Sequence, residues 1–486
     1  MSVKVVYQDI APGAAEDAAV SATSVDAVSD ISLIPFGGDR GRYATFEPNW
    51  WALDGTIDLY DGQEVAYVSS VVSGADCSFS TPPTITVEFT GTFTSLGVYI
   101  EQGGIGYCNS VNVKWYAGGT LLDNRDYTPD GPEYFCENTV SDYDKVVFTF
   151  NGMTHPGRRL RISRILFGII RTFERDELRT GSARIVQQID NTSRELPTNT
   201  LDFKLSSKEN VEYIFQTKQQ MAAYDGENLI GVFYVNDSNR QAENIYDITC
   251  VDAIGVLEDD AFPDTYYNGA TALSIAEAIC GEFDVDMQAD LQSKTLTGIL
   301  YQQNRRTALQ QLCFALGAVA DTSGTDKIKI FTLDTPTPIL LDEHRLRPGG
   351  SVNKAAVVTA VKVAAHSYTT SGSGSGIVIN GVTYYDTVSV TTLVNPAVTA
   401  SDKANVIEVS DCTLISSANV ADIAQHLLDE VTRRNTHRVQ FRLDGEEPGD
   451  YVQTVTPWGA NFLGHYISGS IVLSGFALTD AEVIGD

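Results

Sequence analysis

Positive charge is scarce in this chain. Its 486 residues carry 33 Lys and Arg against 63 Asp and Glu, a formal net charge of −30. Holding nucleic acid through its phosphates requires clustered basic side chains, so that class of function is excluded, and attachment to anionic membranes is disfavoured on the same ground. Long apolar runs are also missing. No stretch of 18 apolar residues occurs, and the opening MSVKVVYQDIAPGAAEDAAV has no basic segment followed by an apolar one. The expectation is a protein with no signal peptide and no membrane insertion, made in a cytoplasm. Methionine is rare at 4, and the 7 cysteines are scattered and never spaced as CxxC. A disulfide framework or zinc knuckle is therefore not expected, and the thiols are read as reduced and mostly buried. What the chain does have is 22 Tyr, 20 Phe and 40 Gly, the usage of a β-rich protein with many tight turns. Its length corresponds to roughly three domains at about 150 residues each.

Residues 1–42 are small, acidic and weakly periodic, and read as an extended N-terminal arm. From 43 to 172, ITVEF (85–89), LGVYI (96–100), VNVKWY (111–116) and KVVFTF (145–150) alternate with period two. That is the mark of half-buried strands, and their spacing without helices predicts an antiparallel sandwich. Over 173–265, four longer and more apolar runs suit a small closed barrel. Residues 266–335 form an α/β insert. One helix is expected over Ala272–Cys280, capped by Thr271 and stopped by Gly281, and another over Thr307–Leu316, stopped by Gly317. The remainder, 336–486, reads as a second β-barrel with an Asn380–Gly381 hairpin turn and one amphipathic helix over 418–434.

Catalytic signatures are missing. The sequence contains no HExxH, Walker loop, dinucleotide fingerprint or calcium loop, and its six histidines are far apart. With 63 acids present, spaced carboxylate pairs arise by chance and single out no acid–base dyad. The chain is read as not an enzyme, with no cofactor and no metal. Two features remain. Trp50, Trp51 and Tyr116 lie in or beside a predicted sandwich, where aromatic faces can stack a sugar ring; the plainer reading makes such aromatics core. Arg158, Arg159, Arg161, Arg164 and Arg171 form the one strongly basic stretch. It is either a strand that pairs with acidic neighbours or a docking surface for an acidic partner subunit.

Several segments resemble a known family. YATFEPNWWALDG (43–55), PPTITVEFTGTFTSLGVYIE (82–101), VNVKWYAGGTLL (111–122) and DKVVFTFNGMTHPGRRLRISRILFG (144–168) look like the N-terminal sandwich of tail proteins from phages and prophages of Gram-positive bacteria, similar to galactose-binding jelly rolls. LPTNTLDFKLSSK (196–208), YDITCVDAIGVLE (246–258) and LGAVADTSGTDKIKIF (316–331) resemble the baseplate hub and tail-tip proteins. The resemblance implies a mainly β, multidomain protein: a jelly-roll β-sandwich, then two tail-tube-like β-barrels with a small α/β insert. It also implies a homotrimeric ring in the virion, at the tail tip, that joins the tail tube to the central spike, touches other baseplate proteins and lets genome DNA pass without specific binding. Because the chain stops at Asp486 soon after its last strands, a spike or cell-wall hydrolase is expected on another polypeptide. The alternative is a receptor-binding tail protein whose sandwich binds host cell-surface carbohydrate through Trp50, Trp51 or Tyr116.

Overall fold

The computed structural model describes residues 3–11, 13–37, 47, 66–103, 106–179, 183–208, 213, 215–242, 244–342, 344–347, 349–373, 376–399, 401–473 and 477–485. The protein is mainly β and multidomain, and it divides into two compact bodies. One comprises Tyr7–Arg171 with Glu212–Gln219; the other comprises Met1–Val6, Thr172–Val211 and Gln220–Asp486.

The smaller body is built on a seven-stranded sheet. The four short runs expected from alternation fall in three longer strands, the runs at 85–89 and 96–100 merging into one. Thr84–Gln102 is one strand bent by register shifts between Glu88 and Gly97, and it pairs with the long Glu133–Met153 strand. Bulges of this kind let one strand serve two directions of a sheet, so period-two counting finds its straight halves but not their continuity. Trp115, Phe148, Phe150, Phe89 and Phe167 fill the core. Within the segment read as an N-terminal arm, the described residues include two strands. Val3–Ile10 is a strand with Val3, Val5, Tyr7 and Asp9 buried, and Ala19–Ala22 pairs with Thr84–Gln102. Its alternation is real but only eight residues long, and the Ala-rich stretch that follows masks it.

The larger body is organised around a thirteen-stranded sheet. Nine of its strands follow one another in the order Ser351–Lys354, Asn435–Arg442, Ala477–Gly485, Asn461–Leu473, Arg184–Gln188, Thr200–Ser206, Ile245–Val251, Asn228–Ala242, Gln220–Asp225. Strands from the two segments read as separate barrels thus share one hydrogen-bonded sheet. The joint is antiparallel, Arg184 facing Val472 and Gln188 facing Ser468.

The helices lie where their end signals place them. Ala272–Cys280 begins with the Thr271 side chain accepting from the Ser274 N–H and ends at Gly281. Arg305–Leu316 begins two residues earlier than its apolar stripe suggests, because Asn304 caps Thr307 N–H, and ends at Gly317 in the left-handed conformation. Val420–Thr432 is the third. The insert and this last helix share one core: Ile275, Ile279, Leu309, Leu312, Ile423 and Leu427 meet Val361 and Val363 of the Ala360–Thr369 strand.

Candidate functional site

The arginine stretch is the natural starting point, because a strand with no acid of its own must find countercharge elsewhere. Arg161 is buried and its guanidinium grips Glu47 in a two-pronged pair: Nη1 donates to Oε1 at 3.0 Å, and Nη2 donates to Oε2. Glu47 also accepts the Arg159 backbone N–H at 2.7 Å. Arg159 pairs through Nη1 with Asp26, and Arg164 reaches Glu101 at 3.1 Å. Arg158 is buried at 3% exposure, its backbone N–H donating to Ser73 Oγ at 3.0 Å. Arg158 and Arg161 are therefore inside the body, and the charges of Arg159, Arg161 and Arg164 are matched within the chain. These acids lie 63 to 133 positions away in sequence; within the chain they neutralise Arg159, Arg161 and Arg164, while Nε and Nη1 of the buried Arg158 have no hydrogen-bond partner among the described residues.

Of the aromatic residues, Trp50 and Trp51 lie outside the described residues. Tyr116 is half-buried near the end of the Cys108–Ala117 strand, opposite Leu121 and Lys145, while its neighbour Trp115 is fully buried in the core. His426, on the Val420–Thr432 helix, is held below its ordinary value chiefly by burial. All seven cysteines are free, and six are buried. Burial pushes the thiols of Cys108 and Cys412 up to about 11 and about 12. Among the described residues no group of three or more His, Cys, Asp or Glu side chains is placed to hold a metal ion.

The densest polar constellation lies in the larger body and was not singled out in the sequence. It centres on the turn Asp321–Thr322–Ser323, which closes on itself as the Ser323 N–H donates to Asp321 Oδ2 at 3.0 Å. Asn199 Nδ2 donates to Asp321 Oδ1 at 3.1 Å and to Thr322 Oγ1 at 3.2 Å. Thr322 in turn donates to Asp252 Oδ2 at 2.7 Å, while Asp252 Oδ1 caps Gly255 N–H at 2.8 Å. On the other side Lys329 Nζ donates to Ser323 O at 2.7 Å, stands 3.1 Å from Asp321 and pairs with Glu447. The junction thus ties together the Thr200–Ser206 end, the insert and the loop after Asn435–Arg442. Its signal in the sequence is the Asp-Thr-Ser-Gly run at 321–324, whose short side chains favour a self-bonded turn.

Electrostatics makes this junction responsive to acid. Burial pushes the Asp252 carboxyl up to about 6, against the hydrogen bonds from Thr322 and Gly255. Burial likewise raises Glu447 and Asp450, while Lys329, despite its own burial, is held above its ordinary value by Asp321 and Glu447. Beside it is a cavity of about 30 Å³ lined by Gln187, Asp225, Ile230, Leu443, Glu446 and Glu447, polar enough and large enough to admit water. The arrangement locks chain segments together and binds protons; it holds them in place of presenting a reactive group.

No family model matches the chain, and no curated protein matches it. Among solved structures, a prophage tail protein, gp18, of Listeria monocytogenes EGD-e is similar over 65% of this chain and 91% of its own, at 13% identity and a TM-score of 0.44. A tail protein of Neisseria meningitidis MC58 is similar over 65% of this chain and 94% of its own, at 11% identity and a TM-score of 0.46. A 43 kDa tail protein of prophage MuSo2 from Shewanella oneidensis is similar over 65% of this chain and 96% of its own, at 12% identity and a TM-score of 0.44.

Proposed function

We propose that this chain is a structural hub protein at the tip of a phage tail, where three copies form a ring joining the tail tube to the central spike. The reading starts from the resemblance of the segments at 43–55 and 82–101 to the N-terminal sandwich of phage tail proteins and of the segment at 196–208 to baseplate hub and tail-tip proteins. The observation that carries it is the joint between Arg184–Gln188 and Asn461–Leu473. By that joint, two strand groups far apart in sequence become one continuous sheet. A continuous sheet transmits force without a hinge between its halves, as a ring that passes movement from baseplate proteins to tube and spike requires.

The charge fits the same role. A −30 chain beside a DNA channel repels phosphate and lets the genome slide past without being held. The role is mechanical, with no chemical step and no cofactor. It is tested by the mass and shape of the purified protein: one species of three times 52.7 kDa with an axial opening in negative-stain images is expected. A stable monomer at every concentration overturns the ring.

A further inference from the structure

Two stretches of this highly charged chain carry almost no charge. Residues 363–401 contain one acid, Asp386, and no Lys or Arg, and residues 451–479 contain neither sign. Each stretch builds an exposed apolar surface on the larger body.

The first belongs to a four-stranded sheet ordered Ile377–Ile379, Val382–Val394, Ala360–Thr369, Val406–Val409. One face, through Val361, Val363 and Ala365, is buried against the helical core. On the opposite face the register sets Val394, Ala360 and Val406 in one row, with Val390 beside Ala364 and Val388 beside His366. Val388, Val390, Val394 and Val406 are 44–67% exposed. The few charged groups there have partners: Lys362 pairs with Glu408 at 3.7 Å, and Asp386 is in hydrogen-bond contact with His366 Nδ1 at 2.7 Å.

The second surface is the hairpin Tyr451–Val455 and Asn461–Leu473. Register places Leu340, Gln453 and Leu463 in one row, with Val455 on the same side. Trp458 stands at the tip with 68% of its surface exposed.

We infer that these two faces bind each other between copies of this chain, the Trp458 hairpin of one copy seating on the valine face of the next. Two copies at −30 repel over most of their surface and approach most cheaply where both are uncharged. Contiguous exposed apolar patches mark interfaces, and a projecting Trp is the usual anchor of one. Because the faces differ, the contact is head-to-tail, the kind that closes into a ring. The inference rests on the ring reading above and names the surfaces that make the ring.

Complementation tests it. Val390→Asp removes one face and Trp458→Asp the other; both residues are exposed, so far-UV circular dichroism and thermal midpoint should stay as in the wild type. Each variant alone should sediment as a monomer, its association weakened by about 30-fold or more, the loss typical of a hot-spot residue. An equimolar mixture should form a 1:1 dimer and nothing larger, since only one pair of intact faces remains. If either variant does not fold, Val390→Ser and Trp458→Ser are read in the same way. Variants that still assemble like the wild type overturn the named faces and leave the ring standing. Monomeric variants that do not pair when mixed overturn the head-to-tail contact. A wild type that is itself monomeric at about 100 μM, which is about 100-fold above a micromolar dissociation constant, overturns the ring and this inference with it.

Discussion

At the scale of single residues, the protein's electrostatics is decided by burial. Arg161 and Glu47 are 1% and 3% exposed at their side chains, so neither can fall back on water if its partner is lost. Removing one member of such a pair costs about 3–5 kcal/mol, whereas replacing both with apolar residues of similar size is near neutral. Arg161→Ala is therefore expected to lower stability by about that much in urea unfolding, and Arg161→Met with Glu47→Gln, which keeps an acceptor for the Arg159 N–H, to recover part of it; a loss below about 1 kcal/mol, the ordinary value of an exposed pair, would contradict the burial argument. Asp252 behaves in the opposite sense. Its carboxyl sits at about 6 in the fold against 3.8 ordinarily, so its contribution is fully present below pH 3.8 and is lost as pH rises through 6. At 1.36 kcal/mol per pKa unit the change is about 3 kcal/mol. Asn retains the cap to Gly255 but does not titrate. The stability of Asp252→Asn relative to the wild type should accordingly rise by about 2 kcal/mol between pH 4 and pH 7, most of that change, and a pH-independent difference would show that Asp252 is not the titrating group.

At the scale of elements, what the sequence discloses depends on how far apart the interacting residues are. The helices are legible because Thr271, Gly281 and Gly317 act within one turn of the ends they set. The Asn380–Gly381 turn is legible for the same reason: both residues take positive φ, 48° and 80°, between paired Ile379 and Val382. The joint between Arg184–Gln188 and Asn461–Leu473 is not, because nothing local in either strand names a partner about 280 positions away. Glu47 and Asp26 were invisible as partners of the arginine stretch on the same ground. A strand contact can also depend on what is missing. Gly464 faces Gly485 across adjacent strands, and a Cβ at Gly464 would fall 2.2 Å from the Ile484 carbonyl oxygen. Since that obstacle is backbone, relief requires the strands to part. Gly464→Ala is expected to lower the thermal midpoint by several degrees, roughly the effect of 1–3 kcal/mol of overpacking. Gly118→Ala and Gly459→Ala meet no atom within 4 Å, and their cost is confined to the strain of a positive φ.

At the scale of the whole molecule, the charge of −30 and the matched arginines lead to one expectation about assembly. If copies met through Arg158, Arg159, Arg161 and Arg164, attraction between opposite charges would drive the contact and salt would weaken it. Those side chains are instead buried or paired inside their own chain. Copies that meet through the uncharged valine face and the Trp458 hairpin gain apolar burial, which salt does not screen, and are opposed by repulsion between like-charged bodies, which it does. The Debye length falls from about 10 Å at 0.1 M to about 3 Å at 1 M. Sedimentation velocity at fixed protein concentration should therefore show the larger species gaining as sodium chloride rises from about 0.05 M to 0.5 M, a range over which surface repulsion is strongly screened. The Val390→Asp and Trp458→Asp variants should stay monomeric across that range. A wild type that dissociates as salt rises would instead place charge pairs at the interface and remove the two apolar faces from it.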